Sequence, residues 1–469
     1  MKNFHLKKGP FLKSKNSSDL MMTHLLIALL PIILFSFYKN GIYLYINGYA
    51  NLLQMFYPLL FILVGGLSTF VFETLYHKLL LHKTWKDSIN GNYAVIPGIF
   101  LSLVLPLNTP ISILIVGCMV ATIIGKMIYG GFGHNIFNPA LIGCLFVVAL
   151  YSNNIGSYVN SYELDAVSSA TPLTNLAMVE KVDYQNVVAP YGSLWTFFFG
   201  MIPGSVGETC SFLIILAFIY LAITKTIKIR IPLFYVGTVF ILTFFIGKVN
   251  GLSIWYPLFQ ILSGGLLFGA VFMATDPVTS PVTKLGQTLY GILLGILTVV
   301  FRLITSAPEG VMTSILTLNM FVFIFDKLGV KFKEKGQIVS FYLISIGIIF
   351  ILSLGLESTI NTQNIDTNFT LISTKEESNK KTYLVNQKGN GGNINIEITL
   401  EDGKVVSYEV LSHNETPAYY SKIETTNYIN TLIQNSNNLN EVDTVSGATI
   451  SSKALKKALE NVLALEGNS

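Results

Sequence analysis

The chain has 469 residues, 51% hydrophobic and 12% charged, with a net charge of +4. Soluble domains carry about a quarter charged residues, so most of this chain is expected to lie within a membrane. The small net charge, with no basic stripe interleaved with aromatics, excludes nucleic acid as a partner.

Five lysines precede the first apolar run, 21–37. No small-residue cleavage site follows it and many further runs do, so it reads as a first span that also targets the chain. Further runs of spanning character cover 55–76, 93–105, 111–128, 136–151, 210–224, 231–246, 255–274, 288–304, 310–325 and 338–354, making eleven. Several are shorter than the usual ~20 residues, so their ends are loosely defined.

Charge tests this count independently, because cytoplasmic loops concentrate Lys and Arg. With the N-terminus inside, the inner segments hold 17 cations, among them Lys78, Lys126, Lys228, Arg230, Lys284 and Lys327. The outer loops before the last span hold Lys39, Lys181, Lys248 and Arg302. The loop 152–208 and everything after the eleventh span are then expected outside, the latter long enough for a small domain.

The third run of the first half ends in Pro106-Leu-Asn-Thr-Pro110, and that of the second in Asp276-Pro277-Val-Thr-Ser-Pro281. Two five-span halves of this kind would be mutually inverted. Coincidence among 16 prolines is the alternative. The expected fold is thus a polytopic α-helical membrane protein of about ten spans in two inverted repeats plus one anchor span, followed by a C-terminal α+β domain. Cys118, Cys144 and Cys210 are scattered in apolar surroundings without a C-x-x-C pair, and read as buried thiols.

One signature occurs twice. Asp165-Ala-Val-Ser168-Ser169-Ala170-Thr171 lies in the outer loop and Asp443-Thr-Val-Ser446-Gly447-Ala448-Thr449 in the outer domain. A chance match to the four shared positions is expected in roughly one of a hundred chains of this length. A threonine hydroxyl can form a phosphoester with a nucleotide's phosphate, and the small residues before it would let an extended loop enter a transferase's active site. Both threonines are also expected to start helices. Pro172 suits a first helical position, and after Thr449 residues Ala454, Leu455, Ala458, Leu459, Val462 and Leu463 recur at helical spacing. Phosphate is stabilised at a helix N-terminus. An ordinary Ser/Thr N-cap is the other reading of either copy.

Residues 1–330 resemble the D-type subunit of the Rnf ion-translocating electron-transport complex, and the similar B-type subunit of sodium-pumping NADH:quinone reductase. The matching stretches include Gly125-Lys126, Tyr129-Gly130-Gly131, Asn135-x-x-Asn138-Pro139-Ala140, Ser169-Ala170-Thr171-Pro172-Leu173, Gly207-Glu208-Thr209 and Ala274-Thr275-Asp276-Pro277. Residues 338–469 resemble the G-type component of the same Rnf complex, through His413-x-Glu415-Thr416 and Ser446-Gly447-Ala448-Thr449. The chain thus looks like a fusion of the D and G types.

The resemblance implies FMN bonded covalently to Thr171 and Thr449 by a flavin transferase. Ser169, Ala170, Ser446, Gly447 and Ala448 would flank the attachment points, with His413 and Glu415 near the flavin ring or in a solvated loop. It also implies a non-covalent riboflavin in the membrane part, other subunits of the complex as partners, coupling to Na⁺ or H⁺, and residence in the bacterial inner membrane. Ser169 departs from the glycine frequent in the family, small for small. The implied layout is a membrane domain over 1–330, a linker and anchor span over 331–357 and an FMN-binding domain over 358–469.

The outer domain is expected to begin with a strand at 393–400, turned by Asp402-Gly403 into a second at 405–410. Gly389 to Gly392 reads as a loop, since no strand-loop-helix phosphate pattern surrounds it. Lys126, Asn135, Asn138 and Asp276 stand near span ends, where polar groups are costly unless paired or functional. Asp276 is a candidate ion or flavin contact; capping and interfacial anchoring explain Lys126 and the asparagines equally well.

With no Rossmann fingerprint and no iron–sulfur cysteine cluster, the chain is expected to relay electrons between partners that hold the other cofactors. A ferredoxin:NAD⁺ relay, a sodium-pumping NADH:quinone relay and a transporter with an appended sensing domain are the three readings the residues allow.

Overall fold

The computed structural model describes residues 17–82, 93–151, 158–159, 168–169, 171–179, 182–304, 310–332, 335–356, 360, 369–377, 380–389, 392–401, 404–415, 417–436, 439, 442–445 and 448–467. The chain divides into two compact units, Met1–Thr362 and Gln363–Ser469.

In the first unit, all eleven apolar runs are helical among the described residues. The helices are α1 (Ser18–Phe37), α2 (Tyr57–Leu79), α3 (Val95–Val104), α4 (Ile111–Thr122) and α5 (Pro139–Tyr151) in the first half. A short α6 (Pro172–Met178) follows in the loop. The second half holds α7 (Ser211–Ile223), α8 (Arg230–Val249), α9 (Trp255–Leu262), α10 (Leu266–Met273), α11 (Lys284–Ile304), α12 (Val311–Asn319) and α13 (Val322–Lys331), before α14 (Lys335–Gly355).

Among the described residues, four helices are long and apolar enough to cross a bilayer, beginning with an unbroken Ser18–Ile46. Two bent pairs, α9 with α10 at 63° and α12 with α13 at 60°, would each make one more crossing, and α3, α5, α7 and Ile111–Met127 are shorter apolar helices. Leu26, Ile27, Leu30 and Leu34 on α1, and Leu60, Leu63, Leu67 and Val71 on α2, are exposed. Such apolar rows belong against lipid.

The two halves pack alike. Helix α2 lies against α3 and α4, and α8 lies against α9 and α11. Helix α4 then meets α5, as α11 meets α12 and α13. This agrees with two related halves. The α2–α3 approach is possible because both helices carry glycine: a Cβ on Gly98 would overlap the carbonyl oxygen of Gly65. Small residues allow such contact where water supplies no driving force between helices. In the second half hydroxyls join the helices, Tyr235 to Thr298 at 2.6 Å and Thr298 to Ser314 at 3.1 Å. Helix α14 packs on α8, with Phe350 edge-on to Phe245 at 6.1 Å.

Among the described residues, three π-helical turns interrupt the α-helical ladder, at Tyr38–Ile42, Ile123–Met127 and Gly269–Met273. Such turns are rare and commonly fall at functional sites. Here they hold Lys39 and Lys126 and lead into Asp276.

The second unit is a four-stranded antiparallel meander, β1 (Phe369–Glu377), β2 (Lys380–Lys388), β3 (Asn393–Glu401) and β4 (Lys404–His413), with helices α15 (Pro417–Thr425), α16 (Tyr428–Gln434) and α17 (Thr449–Gly467). The expected hairpin is β3–β4, in register Ile398 to Tyr408; its turn residues lie outside the described set. The expected start of the domain at residue 393 is corrected, because two strands precede it. Ile394, Ile396, Ile398 and Leu400 alternate into one buried face. On that face lie Leu455, Ala458, Leu459 and Val462 of α17, fully buried at the predicted helical spacing.

Candidate cofactor-binding sites

Thr171 is the N-cap of α6, with Pro172 at the first helical position. Its backbone is extended, and its hydroxyl oxygen accepts from the Thr174 amide at 3.2 Å and meets the Thr174 hydroxyl at 2.8 Å. Just before it, Ser168–Ser169 pairs antiparallel with Tyr158–Val159. Ala170 lies outside the described residues. Thr171 itself is only 3% exposed.

It lines a pocket of about 260 Å³ together with Pro172, Ile202, Pro203, Gly204, Ser205, Glu208, Thr209 and Gly264. The Glu208 carboxylate lies where a Cβ at Gly265 would stand. Gly264 has a φ of +64° at the break between α9 and α10, and a side chain there would strike Leu173 of α6.

Two cations that the charge pattern assigned to outer loops are instead buried beside this pocket. Lys39 is 1% exposed. Its ammonium donates to the Ile202 carbonyl and, at 3.1 Å, to the Thr209 hydroxyl, and both residues line the pocket. Arg302, near the end of α11, donates to the Gln260 side chain at 3.1 Å and to the Ser263 carbonyl at 3.3 Å. It thereby holds the broken end of α9. The signal missed in the sequence was that Lys39 follows its apolar run within one unbroken helix.

The lining brings the hydroxyl-bearing Thr171, Ser205 and Thr209 together with the Glu208 carboxylate, and the Lys39 ammonium stands behind Ile202 and Thr209.

A larger pocket, of about 750 Å³, lies among the predicted polar span ends. Lys126, Asn135, Asn138 and Asp276 all line it, with Tyr93, Phe132 and Phe272 among its apolar walls. Lys126 is paired with Glu73 of α2 at 2.7 Å, both buried. Asn138 caps α5 through the Ala140 amide, Asn135 donates to the Phe137 carbonyl, and Asp276 accepts from the Thr279 hydroxyl at 2.9 Å. Capping and pocket-lining therefore coexist in these residues.

In the second unit Thr449 is the first residue of α17, and Ala448 before it is buried. Ser446, Gly447 and Thr416 lie outside the described residues. The Ala448 carbonyl accepts from both the amide and the hydroxyl of Ser452, and that hydroxyl accepts from the Val445 amide at 3.2 Å. The serines after Thr449 thus fix the turn in front of it. Glu415 is no solvated loop residue: it is buried and accepts a short hydrogen bond from Ser451 in the first turn of α17. The carboxylate adds a favourable charge at that helix start. His413, which ends β4, stacks on Tyr420 with ring centroids 3.7 Å apart. Burial, with Glu424 and Glu415 nearby, pushes the Tyr420 phenol up to about 12.

These features define a multi-pass helical membrane protein with a small α+β domain at its C-terminal end. The chain belongs to the NQR2, RnfD, RnfE family, whose model matches residues 5–333, and residues 389–464 match the FMN-binding domain. It is 33% identical to the D subunit of the proton-translocating ferredoxin:NAD(+) oxidoreductase complex of Clostridium ljungdahlii, over 71% of this chain and 97% of that one. It is 31% identical to the D subunit of the Na(+)-translocating ferredoxin:NAD(+) oxidoreductase complex of Acetobacterium woodii, over 68% and 91%. To the B subunit of the Na(+)-translocating NADH-quinone reductase of Chromohalobacter salexigens it is 35% identical over 52% and 59%.

Proposed function

We propose that the chain is an electron-transferring subunit of an Rnf-type, ion-translocating ferredoxin:NAD⁺ oxidoreductase complex, with FMN bonded through its phosphate to Thr171 and Thr449. The observation that carries this reading is the repeated D-x-x-S-x-A-T signature, whose threonine caps a helix in one unit and starts one in the other. When bound, FMN supplies one- or two-electron transfer; the protein supplies position and potential.

In this reading the Thr171 pocket holds the phosphate end of one cofactor, with Ser169 and Ala170 as the small residues that admit a flavin transferase. Ser446, Gly447 and Ala448 do the same before Thr449, while Glu415 fixes the start of α17 and the His413–Tyr420 stack offers an aromatic surface to the ring. The wider pocket lined by Lys126, Asn138 and Asp276, with its mixed apolar and polar walls, would in this reading hold a second, non-covalent flavin such as riboflavin. The membrane domain would cover 1–330, the linker and anchor 331–357 and the FMN-binding domain 358–469. The lysine pattern supports a cytoplasmic N-terminus and an extracytoplasmic C-terminal domain. Partner subunits would supply the clusters and nicotinamide site that this sequence lacks. A relay of the NADH:quinone type is the second reading, favoured by the 35% identity to a B subunit of that reductase.

The test is a denaturing gel of the chain co-expressed with a flavin transferase. Flavin fluorescence should survive denaturation, fall in Thr171→Val or Thr449→Val and vanish in the double variant. A dark wild-type band would overturn covalent attachment.

A further inference from the structure

The larger pocket takes polar side chains from two loops, one in each half of the membrane unit, and one buried residue behind them holds both. Asn135 and Asn138 come from the loop before α5, and Asp276 from the loop after α10. Asn319 ends α12 at its 60° break with α13 and is 3% exposed. Its amide oxygen accepts from the Asn138 backbone amide at 3.1 Å. Its amide nitrogen faces the Thr279 and Ile315 carbonyls, each at 3.2 Å, and the Tyr290 hydroxyl at 2.9 Å. Both loop contacts lead on to the pocket. The Asn138 side chain caps α5 at the Ala140 amide, and the Thr279 hydroxyl donates to the Asp276 carboxylate at 2.9 Å. Asparagine suits the position because a primary amide joins an acceptor to two donors in one plane. A carboxylate there would set its oxygens against two carbonyls. An apolar side chain would take away the partner of the Asn138 amide and of the Thr279 carbonyl together.

We propose that Asn319 is a positioning residue for the ligand of the larger pocket, fixing Asn138 of one half and Asp276 of the other at the separation that ligand needs. This rests on the reading of the pocket as a site for a non-covalent flavin. The uracil-like edge of an isoalloxazine alternates carbonyl and N–H groups, so it is recognised by a donor and an acceptor held at a set distance. Asn138, whose oxygen is committed to the Ala140 amide, offers the donor, and Asp276 offers the acceptor. Asn319 acts through them. It removes the freedom of the two loops to shift against each other, in a setting where water is scarce and backbone groups must find partners within the protein.

The test uses the full-length chain in lipid nanodiscs, expressed without a flavin transferase so that no flavin is attached to threonine. Riboflavin binding is titrated by the quenching of its fluorescence, and thermal midpoints are measured without it. Asn319→Leu should weaken binding about tenfold or more, the effect of a hydrogen bond lost. Asn319→Asp and Tyr290→Phe should weaken it by a smaller factor. Thr298→Val removes the buried bonds to Tyr235 and Ser314, away from these loops, and should lower the midpoint while leaving binding at the parent's value. A merely structural role for Asn319 would show the same pattern, so parent-like affinity in Asn319→Leu would overturn the proposal. So would a loss of affinity in Thr298→Val equal to that in Asn319→Leu. If Asn319→Leu is not recovered folded, parent-like affinity in both Asn319→Asp and Tyr290→Phe overturns it instead. A parent that binds no riboflavin refutes the flavin reading of the pocket, and the proposal falls with it; a parent that binds while the variants match it refutes the proposal alone.

Discussion

Removing one partner of the Glu73–Lys126 pair should destabilise the membrane unit more than almost any other single polar change. The carboxylate and ammonium are 1% and 3% exposed, with Nζ at 2.7 and 2.9 Å from the two carboxylate oxygens. Lys126 is also 5.7 Å from the centre of the Phe132 ring. Glu73→Gln leaves an ammonium buried among α2, α4 and α5, and Lys126→Met leaves a carboxylate there. Each is expected to cost about 3–5 kcal/mol, because an isolated charge in such a site cannot be resolvated. Replacing both together removes the charges as a pair and should restore most of the loss. The assay is reversible unfolding in mixed micelles of the wild type, the two single variants and the double variant. Single losses under about 1 kcal/mol, or additivity within about 0.5 kcal/mol, would refute the claim that these two groups stabilise each other.

Gly98→Val should separate α2 from α3, since the new side chain meets the Gly65 backbone and the Thr69 hydroxyl. A loss of about 1–3 kcal/mol is expected, read as reduced monodisperse yield on size exclusion, while Gly237→Ala, with open space around it, should behave as wild type. The C-terminal unit should lose stability in alkali. Tyr420 and Tyr428 are both pushed up to about 12 by burial and nearby carboxylates. Below pH 10 both states keep the phenols neutral; between pH 10 and 12 the unfolded chain ionises while the fold resists, so stability is lost as pH rises. Pulse proteolysis in urea across that range should show the fall, and Tyr420→Phe with Tyr428→Phe should flatten it.

The membrane part was legible in the sequence because a bilayer imposes long apolar runs, and every such run is helical. The helix after Thr449 was legible for a different reason, a strict apolar spacing that reappears as the buried face of α17. Strands β1 and β2 were missed because β1 leaves Leu371 and Ile372 exposed and shows no apolar alternation, and only Tyr383, Val385 and Gln387 of β2 alternate into the core. The environment of Lys39 was illegible because its partners are Ile202 and Thr209, well over a hundred residues away. A charge count treats such a lysine as a loop residue. Burial depends on tertiary contacts that no local window contains. Glu415 escaped for the same reason, since its partner Ser451 comes from the far side of α15 and α16.

Thr171 is buried, its hydroxyl already engaged in capping α6. An enzyme that esterifies this oxygen needs the loop before it has closed. On the proposed chemistry the fold therefore sets a schedule for assembly: modification belongs to the interval between export of the loop and its settling against the Ile202–Thr209 segment. A molecule that settles first is locked out of the working pool until its loop reopens. The share of competent complexes in a cell then depends on a race between two rates, and a shortage of transferase would show as stable, correctly inserted and persistently inactive protein.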